Sequence, residues 1–435
     1  MNTSSDQDIV ITGTGCLLPG SSSPAQLWER LLRGDSALTP YRDEHIDSAL
    51  IGHFGHLDDE QRGAAADAVP FKLRRFASSC SMWGIKAAAD ALACAGLDLA
   101  SVPDDRRGLF TAQGDYLHPS VPSFAAGLGK AVRNETVDLA TLTREFIHHR
   151  GMEPFLALKC LANNMLAIAS LTFGTRGDCG AFVQNKSATV AALRSAAFSL
   201  RHGYSDVALL LCAGSYNEVL TLAELQRAGY LSRGADGVNS LRPFDQRRDG
   251  TIAGEGAVAF VLETAGHARD RGATALARLG GIGNIVRKPG ELAGTSAYLR
   301  CTERVLRDAQ LDFGAIGAIV ARGTGGQASD RHEAGMLAEL QQGRQGVPIT
   351  CATPIVGSVP ACPVDWLAAI GILQAGLVPP IAHLEQAIAP DLHLVRNVPY
   401  KKPSRHVLSL SAGYTGFNSA ILFSAASPPQ ETLHV

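Results

Sequence analysis

Residues 177–187, which read Gly-Asp-Cys-Gly-Ala-Phe-Val-Gln-Asn-Lys-Ser, decide the fold. The apolar run at residues 181–183 predicts a buried strand. From Ser187 onward, apolar side chains recur at helical spacing until Gly203, which predicts a helix. Enzymes often present a nucleophile at such a strand-turn-helix junction, because the helix N-terminus supplies free N–H groups and positive potential.

The residue at the predicted turn is Lys186. A cysteine there would be activated, since the field at a helix N-terminus favours the thiolate. A lysine carries the wrong charge for that end of a helix. The sequence alone therefore leaves two possibilities: the turn is a working catalytic site, or it is a site that has lost its catalytic activity.

Composition limits the classes of protein to be considered. The 435 residues are 46% hydrophobic and 18% charged, which is enough for a large core and for one large or several ordinary domains. The net charge of −2 and the absence of a long basic run argue against nucleic acid as the main partner. Nine cysteines without CxxC spacing favour reduced core residues over a disulfide framework or a metal site. With no signal-peptide core and no membrane-length apolar run, we expect a soluble, cytoplasmic protein.

Outward from the central stretch, apolar strands alternate with helical patterns. This alternation predicts an α/β layered fold with a sheet covered on both faces. The same alternation repeats after Glu263, so we divide the chain into two halves, residues 1–263 and 264–435. The strand at residues 9–15 ends in Gly-Thr-Gly, but it lacks the third glycine and the helix of a dinucleotide loop. Residues 115–129 are predicted to form a loop.

Several motifs in fixed order then resemble one family. They are residues 10–15 (VITGTG), 242–245 (RPFD), 248–250 (RDG), 254–257 (GEGA), 323–325 (GTG), 356–359 (VGSV) and the closing glycine-rich hairpin. Together they look like β-ketoacyl synthases from about residue 8 to residue 425. The resemblance implies a thiolase fold, in which two similar halves stack in five layers, α-β-α-β-α, and usually form a dimer.

The same resemblance assigns the positions of the catalytic residues. Ketosynthases hold an acyl group on a cysteine and use two histidines, with a supporting lysine, to decarboxylate malonyl-carrier protein. Matched by motif and spacing, the cysteine becomes Lys186 and the two histidines become Arg322 and Asp365. The supporting lysine becomes Pro360. The permanent charge of arginine cannot shuttle protons, and an aspartate would repel a developing oxyanion. No catalytic residue of the family pattern is intact, and the resemblance implies no cofactor or metal.

Three interpretations of these replacements stay open. In the first, the chain resembles the chain length factors of type II polyketide systems, which pair with an active ketosynthase and close the end of its acyl tunnel. In the second, it is an enzyme with repurposed chemistry, such as a malonyl-carrier-protein decarboxylase or an acyltransferase without the cysteine. In the third, it is a structural or carrier-docking protein. A buried ion-pair cluster of Lys186, Arg322 and Asp365 would fit a plugged site.

The first interpretation implies particular partners and residues. The partners are a β-ketoacyl synthase subunit and an acyl carrier protein, with neither nucleic acid nor membrane. By resemblance, Tyr116, Leu117 and Phe124 would set chain length at the end of the tunnel. Phe417 matches a gating position beside the cysteine. The strand of Ala181, Phe182 and Val183 would lie at the dimer interface. Chain length factors often carry glutamine at the cysteine position, so Lys186 departs from that pattern too.

Overall fold

The computed structural model describes residues 6–41, 51–114, 122–149, 151–286, 296–342, 346–413 and 416–426. Tyr116 and Leu117 lie outside the described residues, whereas the other predicted site residues lie within them.

The strands of this described part form one large sheet and three small two-stranded sheets. They are β1 (Ile9–Leu17), β2 (Thr39–Pro40), β3 (His53–Phe54), β4 (Arg107–Gln113), β5 (Val132–Arg133), β6 (Thr136–Val137), β7 (Cys179–Val183), β8 (Val207–Ser215), β9 (Glu255–Thr264), β10 (Ala277–Val286), β11 (Ala318–Val320), β12 (Ile349–Thr350), β13 (Leu377–Val378), β14 (Tyr400–Lys401), β15 (His406–Ala412) and β16 (Phe417–Ser424).

The α-helices alternate with these strands along much of the chain. They are α1 (Pro24–Arg33), α2 (Asp59–Asp67), α3 (Phe71–Arg74), α4 (Ser79–Cys94), α5 (Pro122–Ala131), α6 (Leu139–His148), α7 (Leu156–Lys159), α8 (Asn164–Phe173), α9 (Asn185–Arg201), α10 (Val219–Arg227), α11 (Ala265–Asp270), α12 (Ser296–Asp308), α13 (Gln327–Gln341), α14 (Thr353–Val356) and α15 (Val364–Ala375).

The large sheet has ten strands in the order β12-β11-β15-β16-β10-β1-β9-β8-β4-β7. It consists of two five-stranded halves, because β1 meets β10 through only two residue pairs, Val10 with Arg278 and Ile11 with Ala277. The neighbours on either side of this seam pair over longer runs: β1 pairs with β9 from Ile9 to Leu17, and β10 pairs with β16 from Arg278 to Val286. The repeated alternation predicted from the sequence therefore corresponds to two halves joined at a narrow seam.

Three apolar clusters show how the helices cover the two half-sheets. The first cluster joins α4 and α8 to one face of the first half-sheet. The second contains both α9 and α15, together with side chains from the inner faces of both half-sheets. The third joins α12 and α13 to the outer face of the second half-sheet. The order is thus α-β-α-β-α, and the five-layer prediction is confirmed.

Glycines in β1 let helix α4 approach the sheet closely. A Cβ atom on Gly13 would lie 2.0 Å from the carbonyl oxygen of Ala91, and one on Gly15 would lie 2.1 Å from that of Ala87. Both glycines lie inside the strand, where they serve helix–sheet packing. This close approach explains the Gly-Thr-Gly motif without a nucleotide.

Two local predictions in this part of the chain differ from the structure. Residues 122–131 form α5 and not a loop. Strand β7 is the last strand of the sheet, so residues 180–183 are half-buried where a buried strand was predicted. Helix α11, which follows the predicted division after residue 263, packs on β1 and β9, and the division itself stays a prediction.

Candidate functional site

Lys186 lies in the first turn of α9, directly after the end of β7. Gln184 is the extended N-cap residue, and its backbone N–H donates to the carbonyl oxygen of Gln113 at the end of β4. The helix starts at Asn185, two residues before Ser187, where it was predicted to begin, so Lys186 is its second residue and not a turn residue. Its ammonium group therefore lies where the helix dipole disfavours a cation.

Two acceptors compensate this placement of the lysine. The Nζ atom donates to the carbonyl oxygen of Cys362 at 2.8 Å and to Oδ1 of Asp365 at 3.2 Å. The side chains of Lys186 and Asp365 are only 18% and 12% exposed. Oδ2 of Asp365 accepts a hydrogen bond from Oγ of Ser409 at 2.7 Å. Asp365 is in the first turn of α15, where the helix dipole favours its negative charge.

Arg322 borders the same cavity but has other partners. Its guanidinium donates to the carbonyl oxygen of Ala412, at the end of β15. Its backbone N–H donates to Oε1 of Glu333, and the N–H of Gly323 donates to Oε2. The predicted convergence of Lys186, Arg322 and Asp365 is therefore observed, whereas the ion pair joins only the first and the third.

Two buried carboxylates, those of Glu333 and Asp330, hold the shape of the loop at residues 322–325. Glu333 also accepts a hydrogen bond from the hydroxyl of Tyr298 at 2.8 Å. Burial, with the nearby charge of Asp330, raises the pKa of Glu333 to about 7. Asp330 accepts backbone N–H groups from Phe244, Thr324 and Gly325, and burial raises its pKa. These contacts tie the 242–245 motif to the 323–325 motif, which explains why both patterns occur together.

Pro360 and Phe417 are both packing residues in the structure. Pro360 is buried against the ends of β4 and β8. A Cβ atom added to Gly214 would lie 2.3 Å from the carbonyl oxygen of Pro360. Phe417 begins β16, is 8% exposed and belongs to the second apolar cluster, which contains α9 and α15 and is called the middle apolar cluster below. Cys362 is fully buried, and burial raises the pKa of its thiol, so it is poorly suited to act as a nucleophile.

The space between these groups is small. The cavity lined by Lys186, Arg322 and Asp365 has a volume of about 30 Å³. That is room for very few water molecules and not for an acyl thioester. In this arrangement the lysine amine is a hydrogen-bonded cation whose nearest neighbours are acceptors, which disfavours attack on a carbonyl group.

The residues assigned to the tunnel and the interface are only partly described. Phe124 lies on α5 and is half-buried. Ala181, Phe182 and Val183 are half-buried on the end strand β7, and Phe182 packs against the middle apolar cluster.

Sequence reasoning missed Ser409 and Glu333. Ser409 lies inside β15, and nothing in the sequence around it indicates a role in the site. Glu333 follows the glycine loop in α13 by a spacing that brings it under the N–H groups of Arg322 and Gly323. An acidic residue about two helical turns into a helix that follows a glycine loop was the available signal.

Metal-ligand clusters and membrane-length apolar helices are both absent from the described ranges. There, no group of three or more histidine, cysteine, aspartate or glutamate side chains is arranged to hold a metal ion. No helix in those ranges combines the length and apolar character needed to cross a bilayer.

The five layers and the position of the cavity between the starts of α9 and α15 define a thiolase-like protein of the ketosynthase type. Residues 6–268 match the family description "Beta-ketoacyl synthase, N-terminal domain" and residues 290–385 match "Beta-ketoacyl synthase, C-terminal domain". The chain belongs to the β-ketoacyl synthase family, as the sequence motifs predicted.

Individual relatives extend over nearly the whole chain. A Streptomyces halstedii protein described as polyketide beta-ketoacyl synthase 1 is 27% identical over 426 residues, covering 95% of this chain and 97% of that protein. A ketosynthase solved in complex with a type II polyketide acyl-carrier protein has a TM-score of 0.78 at 20% identity, covering 96% of this chain and 99% of the other. The ishigamide ketosynthase/chain length factor gives 0.78 at 22% identity, covering 97% and 99%.

Proposed function

We propose that this chain is a non-catalytic subunit of the chain length factor type, which pairs with an active β-ketoacyl synthase and shapes its acyl tunnel. The observation that carries the proposal is the ion pair between Lys186 and Asp365. By resemblance these residues stand where the family has its cysteine and second histidine. The pair holds both side chains by hydrogen bonds and leaves about 30 Å³ between them and Arg322.

The chemistry of the replacements supports this interpretation over catalysis. A lysine acylated at Nζ would form an amide, which does not transfer an acyl chain onward readily. Arg322 stays charged at any physiological pH and cannot exchange protons. The carboxylate of Asp365 would face a developing oxyanion with like charge. Each replacement removes one function of the family site: the nucleophile, the proton shuttle and the anion stabiliser.

The edge of the sheet supports pairing with a second subunit. Strand β7 is the last strand of the large sheet and its residues 180–183 are half-buried, so it offers backbone donors and acceptors to another chain. The ishigamide structure, which pairs a ketosynthase with a chain length factor, and the carrier-protein complex name the two kinds of partner we propose. In this proposal Tyr116, Leu117 and Phe124 close the end of the partner's tunnel.

Co-expression with a ketosynthase that has its cysteine and histidines intact tests the proposal. We expect a heterodimer on size exclusion, and longer products when Tyr116 is replaced by alanine, because a wall of the tunnel is then removed. Leu139→Ala, a similar truncation on exposed α6, is the control and should leave product length unchanged. A chain that stays a homodimer and never binds a ketosynthase contradicts the proposal.

Intact-mass analysis separates this function from repurposed chemistry. The chain is incubated alone with malonyl- and acyl-carrier protein. We expect no covalent adduct and no carbon dioxide. An acyl adduct on Lys186, or release of carbon dioxide that Lys186→Met abolishes, would favour the decarboxylase or acyltransferase interpretation. Carrier-protein binding without any effect on product length would favour a docking role.

A further inference from the structure

A second cavity lies between helices α1, α4 and α15. Its volume is about 680 Å³, which is within the usual range for small-molecule sites. Helix α4 packs on the outer face of the first half-sheet, whereas α15 lies in the middle layer. A cavity that reaches helices on both faces of a sheet has to pass round an edge of that sheet.

The edge concerned belongs to β1. This strand pairs with β10 only through Val10 and Ile11, so among the described strands none lies beside residues 12–17 on that side. Thr14, from this stretch, and Leu276, which directly precedes β10, both line the cavity. The short overlap of the two half-sheets at their seam therefore leaves this space open.

Apolar side chains form much of the cavity wall. Leu367 and Ile370 of α15 and the half-buried Leu276 all line it. Trp28 of α1 lies directly against Gly371, because a Cβ atom added to that glycine would come within 2.4 Å of the indole ring. The tryptophan wall is thus fixed by packing on the α15 backbone, and the cavity is formed before any ligand enters.

Within the described part of the chain, the charged side chains on this wall compensate each other. Nζ of Lys86 donates to Oδ1 and Oδ2 of Asp90 at 2.7 and 2.6 Å. Both side chains keep contact with solvent, so a ligand can reach them. The remaining polar side chains on the wall are neutral; they are those of Thr14, Ser22, Ser23 and Gln374. A charged ligand would therefore find no uncompensated opposite charge, and burying it would be costly.

We propose that this cavity binds a neutral, mainly apolar small molecule, for which a medium-length alkyl alcohol is a suitable model. The volume fits a ligand of that size, the wall favours an apolar body, and the ion pair between Lys86 and Asp90 gives no advantage to a ligand with a charge. This cavity shares no lining residue with the one at Lys186, so the proposal does not rest on the proposed function.

Calorimetry with the full-length chain tests the site, with decan-1-ol, decanoate and decylammonium as probes. We expect decan-1-ol to bind at least about tenfold more tightly than either ion. Ala93→Phe, at an exposed position of α4 that lines the cavity, should weaken this binding several-fold by filling space. Ala140→Phe, on exposed α6, is the matched control and should leave it unchanged. No binding of decan-1-ol, or an equal loss in both variants, overturns the proposal.

Charge variants separate this site from general adsorption, since any apolar surface prefers an alcohol to an ion. Asp90→Asn leaves Lys86 without its counter-charge, so decanoate should bind at least about threefold more tightly than to the wild type. Lys86→Met leaves Asp90 unpaired, and decylammonium should gain by a similar factor. Ion affinities that change in the same direction in both variants, or that do not change, overturn the proposal.

Alkylation of cysteine residues locates the bound alcohol. Cys94 is exposed and lines the cavity, whereas Cys179 is exposed at the start of β7 and does not line it. Decan-1-ol should slow the alkylation of Cys94 as the site fills and leave that of Cys179 unaffected. If the variants fail to fold, this measurement on the wild type still decides the question, because an unchanged rate at Cys94 overturns the proposal.

Discussion

Breaking the ion pair between Lys186 and Asp365 should destabilise the fold asymmetrically. At an N–O distance of 3.2 Å, the attraction is about 5 kcal/mol at an effective dielectric of about 20, before the cost of desolvating both groups. Removing one partner from a buried pair typically costs about 3–5 kcal/mol. Because both side chains keep some exposure, we expect Asp365→Asn to cost about 2–4 kcal/mol.

The two helix N-termini set the direction of the asymmetry. Both disfavour the lysine and favour the carboxylate. In Lys186→Met, Asp365 keeps Ser409 as a donor and lies in the first turn of α15. In Asp365→Asn, Lys186 keeps the carbonyl of Cys362 and can still donate to a neutral amide oxygen, but it loses the anion that compensates its charge. Lys186→Met should therefore cost about 1–2 kcal/mol, which is less than Asp365→Asn.

A double-mutant cycle measures the coupling. Unfolding in urea is followed by tryptophan fluorescence, which includes Trp366 next to Asp365, and by circular dichroism, and the two transitions should coincide. We expect a coupling of about 2 kcal/mol. The pair of Lys86 and Asp90 on α4 is the matched control, with 25% and 32% exposure, and should give about 0.3–0.5 kcal/mol. A coupling below about 0.5 kcal/mol, or a larger cost for Lys186→Met, would refute the reasoning.

Three further predictions concern the scaffold. Asp245→Asn should cost about 1–3 kcal/mol at pH 7, because the buried carboxylate accepts the N–H groups of Glu385 and Gln386. Burial works to raise the pKa of Asp245, but hydrogen bonds from Arg247 and these backbone groups hold it at about 2. The difference in unfolding free energy between the wild type and Asp245→Asn should therefore shrink as the pH falls from 3.8 through 2. Glu333, with its pKa raised to about 7 from 4.5, should make unfolding easier by up to about 3 kcal/mol as the pH rises from 4.5 through 7, and Glu333→Gln should flatten that dependence. Gly13→Ala should cost at least about 2 kcal/mol, because its Cβ would meet the carbonyl oxygen of Ala91.

Urea unfolding across pH checks the two carboxylates, and thermal unfolding checks the glycine. Asp59→Asn, on the exposed start of α2, is a suitable control for charge removal, and Gly63→Ala, which meets nothing within 4 Å, is the control for the glycine. These expectations are contradicted if the stability difference between wild type and Asp245→Asn does not change in acid, or if Glu333→Gln keeps the wild-type dependence of stability on pH. They are also contradicted if Gly13→Ala and Gly63→Ala are equally stable.

The alternation of strands and helices was predictable because each buried strand is apolar throughout and each helix carries its own periodic pattern. The convergence of Lys186, Arg322 and Asp365 was predictable only through the motifs that flank them.

Other features needed the structure for physical reasons. An apolar run such as residues 181–183 looks the same in a central and in an end strand, so its half-burial was not visible in the sequence. Helix α5 contains Gly127 and Gly129, which lower helix propensity and favoured a loop prediction. The guanidinium of Arg322 donates to the backbone oxygen of Ala412. Every residue has a backbone carbonyl group, so the sequence could not identify this partner.

The narrow seam between β1 and β10 has a consequence for synthesis on the ribosome. Strand β1 is made well before its neighbours, because it pairs with β9 through Ile9 and Thr264 and with β10 through Val10 and Arg278. At about 5–20 residues per second, the nascent chain waits on the order of tens of seconds for these partners. During that time the apolar β1 segment has neither of its partner strands, and the central part of the sheet can form only after more than half of the chain has emerged.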